Sequence, residues 1–100
     1  MIEFQYFKGC PHYKATLNNL EELVNEGVIS RNDLVISEMN NPVMAERYHF
    51  QGSPTILIDG VDLYTGEKPA GFSYSCRIYN IDGKMTGIIP KDYIERRIRK

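Results

Sequence analysis

The chain opens on a run in which apolar and polar positions alternate, Ile2 to Phe7 (IEFQYF), the period of a half-buried strand. From Pro11 the period lengthens. Tyr13, Leu17, Leu20 and Val24, with Leu23 beside them, fall on one helical face, and Lys14, Asn18, Glu21, Glu22 and Asn25 on the other. Pro11 suits the first helical position because it has no N–H to leave unpaired, and Gly27 suits the stop. Leu34 to Met39 predicts a second strand. Asn41 reads as an N-cap and Pro42 as the opening of a short helix to about Tyr48.

Further along, PTILID is a short apolar run that predicts a central strand. Residues 60–75 hold three glycines, one proline and three aromatics without a sustained period, which predicts a long loop. Cys76 to Ile81 is the next strand, and Asp82-Gly83 a turn. Pro90 starts a last helix that buries Ile94 and Ile98, with Arg96, Arg97, Arg99 and Lys100 crowding its end. The order β-α-β-α-β-β-α predicts one α/β domain over residues 1–100, with a mixed four-stranded sheet and helices on both faces. Its first two strands should be parallel through a right-handed crossover and its last two antiparallel.

Composition narrows the function. One hundred residues with 42% hydrophobic and 25% charged side chains suit a single globular core. A net charge of -1 gives no reason to expect a polyanion, and the terminal ERRIRK is what a helix dipole favours at its C-terminal end, so no nucleic-acid partner is expected. No apolar run approaches the ~20 residues of a membrane span, and the first residues read as a strand rather than a leader. A cytoplasmic protein with no membrane partner is the expectation. In a reducing compartment, Cys10 and Cys76 are expected as a reactive thiol, a metal ligand or a buried small hydrophobe rather than a structural disulfide. With His12 and His49 they lack the paired spacing of a zinc site, so no metal is expected.

The chemistry gathers around FKGCPHYK. Cys10 falls between the first strand and the first helix, where unpaired helix N–H groups favour a thiolate. Lys8 and Lys14 bring positive charge close in sequence, and His12 can pair with the sulfur. Lys14 in a first helical turn opposes the dipole, a local rule broken beside a candidate site. A free thiol of pKa about 8.5 is only about 3% thiolate at neutral pH. Lowering that pKa by two units needs about 2.7 kcal/mol, within reach of these groups together.

Two separated motifs, YFKGCPHY and AERYHFQGSPTILIDG, resemble the thioredoxin-like superfamily. The chain is also similar to small prokaryotic glutaredoxin-like proteins in GSPTILIDG and in a later CRIY. The resemblance implies the thioredoxin fold, a cis Pro54 lying against Cys10, and Ser53 as the residue whose backbone pairs with extended substrates. Pro11 and Tyr13 would flank that groove. It also implies a thiol–disulfide oxidoreductase with Cys10 as nucleophile and His12 assisting, needing no cofactor beyond glutathione as a co-substrate. Its partner would be a thiol or disulfide protein, or glutathione.

Tyr13 stands where that family keeps its second cysteine, which leaves a monothiol mechanism in which an external thiol resolves the mixed disulfide. Cys76, opening a strand antiparallel to PTILID, would lie about 16 Å from Cys10 at ~3.3 Å per residue. A disulfide needs Cα atoms within about 7 Å, so Cys76 is expected to be buried beside Ile78 unless residues 60–75 redirect the strand. A non-catalytic binding module on the same fold is the alternative, with Tyr64, Phe72 and Tyr74 as a lid or partner surface. A thiol-based metal or metalloid handler, with Cys10 as a soft ligand, is a third. His49 is expected at a helix end on the surface.

Overall fold

The computed structural model describes residues 1–99; Lys100, placed above in the basic cluster of the last helix, lies outside the described residues. Strand β1 (Ile2–Tyr6) pairs in parallel with β2 (Leu34–Glu38), as a helical crossover requires. The crossover is α1 (Tyr13–Asn25), followed by a 3-10 turn at Arg31–Asp33. On its other side β1 pairs antiparallel with β4 (Thr55–Ile58), and β4 pairs antiparallel with the two-residue β5 (Val61–Asp62). The result is a mixed four-stranded sheet in the order β2-β1-β4-β5. A Cα radius of gyration of 12.6 Å matches a folded domain of this length.

Register decides which side chains go inside. Ile2 faces Ile58 and Phe4 faces Ile56, so these four share one side of the sheet. There they meet Leu20 and Leu23 of α1 and Tyr93 and Ile94 of α3 (Lys91–Ile98). Thr16 is buried in the same helix face because its hydroxyl accepts from Ile89 N at 3.1 Å, which ties α1 to the segment entering α3. A second, smaller core joins Met39, Phe50 and Ala45, the last from α2 (Pro42–Arg47), with Phe7, Met44 and Tyr74 packed against it. Asn41 caps α2, its Oδ1 accepting from Met44 N at 2.8 Å.

Three expectations need correction. Residues 60–75 are not one loop, since they contain β5 and most of β6 (Ser73–Cys76). Nor does a strand run from Cys76 to Ile81. Cys76 ends β6, and Tyr79–Ile81 (β7) begins a separate hairpin with β8 (Lys84–Thr86). The antiparallel edge of the main sheet is therefore β5. Asp82 and Gly83 join β7 to β8 with φ of 54° and 80°, the two positive values that a type I′ turn needs.

Strand β6 finds its partner far back in the chain. It runs parallel to β3 (Gln51–Ser53), with Gln51 opposite Ser73 and Ser53 opposite Cys76. Two steps on β3 match three on β6, so the ladder carries a bulge. A bulge re-aims the side chains beyond it, because one extra residue turns the next side chain to the other face. Cys76 is the residue it re-aims.

Candidate redox site

The first turn after β1 brings Cys10 to the base of α1, with its N–H donating to Phe7 O at 3.3 Å. Cys10 has no accessible surface. It is joined to Cys76 by a disulfide across 66 residues of chain, with Cα atoms 5.5 Å apart. The separation of about 16 Å expected from the sequence is overturned, and so is the buried cysteine packing on Ile78. Cys76 is exposed, and Ile78 is 52% exposed. Cys76 does not open a strand next to β4; it ends β6, which pairs with β3.

Next to this bond the Ser53–Pro54 peptide is cis, and both residues are buried. Ser53 is held on two sides. Its hydroxyl accepts from Phe7 N at 3.2 Å, which ties the Pro54 turn to the chain entering the Cys10 turn. Its carbonyl accepts from Arg77 N at 3.0 Å. Gly52, at φ 108°, permits the close approach. A Cβ there would lie 3.0 Å from Arg77 Cβ and 3.1 Å from Ser75 O.

The other residues singled out from the sequence divide. Lys8, Pro11, His12 and Lys14 are exposed around the turn. The His12 ring leans on the backbone of Gly87, where a Cβ would come within 2.9 Å of ring carbons. Tyr13 stacks on Tyr6 with ring centroids 4.3 Å apart, and the Tyr6 hydroxyl donates to Glu38 at 3.4 Å. Burial pushes the Tyr6 phenol up, with the Glu38 carboxylate adding to the effect. Tyr13, three positions after Cys10, is thus held in an aromatic stack.

The three loop aromatics go separate ways. Tyr74 lies 4.5 Å from the Phe7 ring and donates to Met39 O at 3.1 Å, Tyr64 meets Tyr79 edge-on at 4.8 Å, and Phe72 is 46% exposed. His49, at φ 54°, is exposed with Nδ1 3.2 Å from Gly71 O.

Sequence reasoning missed the cluster that anchors the far side of the disulfide. Arg77, next to Cys76, makes a 2.8 Å ion pair with Asp62, with side chains 13% and 3% exposed. It also donates to Thr55 Oγ1 at 3.1 Å, and Thr55 donates in turn to Gly52 O at 2.6 Å. The guanidinium lies 4.7 Å from the Tyr79 ring centroid, and the Tyr79 hydroxyl donates to Pro54 O. Burial drives the Tyr79 phenol strongly upward, against a lowering by Arg77. The CRIY segment carries Cys76, Arg77 and Tyr79 together and was the available signal.

Among the described residues, no three His, Cys, Asp or Glu side chains gather as metal ligands, and no helix is long and apolar enough to cross a membrane. The chain matches no known family model and no curated protein.

Proposed function

We propose that this chain is a thioredoxin-fold thiol–disulfide oxidoreductase whose redox centre is the Cys10–Cys76 pair. The carrying observation is that Cys10, between β1 and α1, is bonded to the residue paired in register with Ser53, directly before cis-Pro54. The strand order β2-β1-β4-β5 and the contact of α1 with α3 support the fold assignment. The base of α1 is where a thiolate is best stabilised, so Cys10 is the member of the pair that carries the charge. Cys76 supplies within the chain the second thiol that a monothiol cycle takes from outside. Two thiols give up two electrons and two protons as the bond closes, and an incoming disulfide or glutathione mixed disulfide receives them. Glutathione or a thiol protein is the partner class, and no bound cofactor is required. A cytoplasmic setting fits a pair that cycles rather than one that only staples the fold.

Complete burial of Cys10 favours a second reading, a binding module in which the disulfide is structural. The readings separate in one experiment. Under the redox reading, Cys10→Ser abolishes reduction of a glutathione mixed disulfide, and iodoacetamide labelling of reduced Cys10 titrates well below the free-thiol value of about 8.5. Labelling at or above that value, with turnover absent in the unaltered protein as well, favours the module.

A further inference from the structure

The two sulfurs of the bond are not equivalent. Cys10, within the β1–α1 turn, has no accessible surface, whereas Cys76 is exposed at the end of β6. We infer that Cys76 is the sulfur an incoming thiol attacks, and that Cys10 departs as the leaving thiolate. This rests on the redox reading above and adds to it which sulfur meets the substrate, reversing the expectation from the sequence that the mixed disulfide forms on Cys10.

Access and leaving-group chemistry agree. Exchange needs a thiolate to approach the attacked sulfur from outside, and it runs faster when the departing sulfur is the better-stabilised anion. At Cys76 the approach is open, since Ser75 and Cys76 are exposed on β6 and Ile78 is exposed just beyond. Attack on Cys10 is opposed by its complete burial. Departure of Cys10 leaves charge at the base of α1, where helix N–H groups favour it.

The anchor beside Cys76 suits this order. Arg77 is fixed by Asp62, Thr55 and the Ser53 carbonyl, none of which depends on the disulfide. When the bond opens, Cys76 stays beside the Pro54 turn instead of drifting away with the segment before it.

The steps balance. A substrate thiolate bonds to Cys76 Sγ, the Cys10–Cys76 bond breaks, and Cys10 Sγ takes the electron pair. The second thiolate of the same substrate then attacks the substrate sulfur of the mixed disulfide. Cys76 is released as a thiolate and takes up a proton. The substrate dithiol is oxidised by two electrons, and the protein disulfide is reduced by two. In the reverse direction Cys76 bonds to the substrate disulfide, and Cys10 attacks Cys76 to release the product. The substrate class is accordingly a dithiol or disulfide presented at an exposed strand end, with Ile78 as an apolar flank.

The oxidised wild-type protein provides the test, so no variant has to fold. It is mixed with reduced glutathione, quenched with acid at early times, alkylated with N-ethylmaleimide and digested with trypsin. The two cysteines then fall on separate peptides, ending at Lys14 and Arg77. The expected result is glutathione on Cys76 and alkylation on Cys10, with roughly tenfold or greater preference. Glutathione on Cys10, or equal labelling from the earliest time, overturns the assignment and leaves the redox reading standing. No adduct on either sulfur at any glutathione concentration overturns both.

Discussion

Arg77 donates its backbone N–H to the carbonyl of Ser53 at 3.0 Å, so the residue before cis-Pro54 already has a strand partner from its own chain. The resemblance to the thioredoxin-like superfamily led to the expectation that the backbone of this residue pairs with an extended substrate. Here β6 fills the position, and the bulge beside it turns Cys76 onto Cys10. Glycine, ion pair and tyrosine each hold this arrangement by different physics, and each can be tested separately.

Gly52→Ala should lower stability by about 2 kcal/mol, from the cost of a side chain at φ 108° together with its approach to Ser75 and Arg77. A shift in denaturant midpoint at unchanged slope measures it. A neutral result would mean that β6 does not lie against Gly52. The same variant in the reduced protein should keep most of the loss, because the crowding comes from backbone pairing rather than from the sulfur bond.

Asp62→Asn removes one charge of the buried pair while leaving an oxygen to accept from Tyr64 N. An uncompensated buried guanidinium should cost on the order of 3 kcal/mol. Combining it with Arg77→Leu should recover part of that loss, with a coupling of at least about 1 kcal/mol in a double-mutant cycle. Additive losses would show that the two side chains do not pair in solution.

Tyr79 supplies a pH dependence. Its folded pKa is raised by burial, while the unfolded phenol titrates near 10. The folded state therefore keeps its proton where the unfolded state loses it. Stability from this group is fully present below pH ~10 and falls as pH rises above that value. Tyr79→Phe should cost about 1–3 kcal/mol at neutral pH by leaving Pro54 O unpaired, and should flatten the alkaline decline. An unchanged alkaline slope in the variant would assign that decline to other tyrosines.

The sequence disclosed what local chemistry dictates. Strand β1, the Asn41–Pro42 start of α2, Gly27 after α1 and the Asp82–Gly83 turn are each written into a few adjacent residues, and all are observed. What stayed hidden depends on distant partners. SYSC has no alternation to mark it as a strand, and its partner Gln51–Ser53 lies about twenty residues back. Two residues of β5 are too few to show a period. Asp62 and Arg77 are ordinary charges until β5 and β6 bring them together. Cys10 was legible as a candidate from its place before a helix, while its partner was not, because that pairing exists only once β6 is placed.

The central claim is that the Cys10–Cys76 bond cycles, and equilibration of the protein across reduced-to-oxidised glutathione ratios tests it most directly. The account predicts a reversible two-electron transition within the glutathione range, lost in both Cys10→Ser and Cys76→Ser. A wild-type bond that stays closed at every ratio, opening only when the protein unfolds, would contradict it.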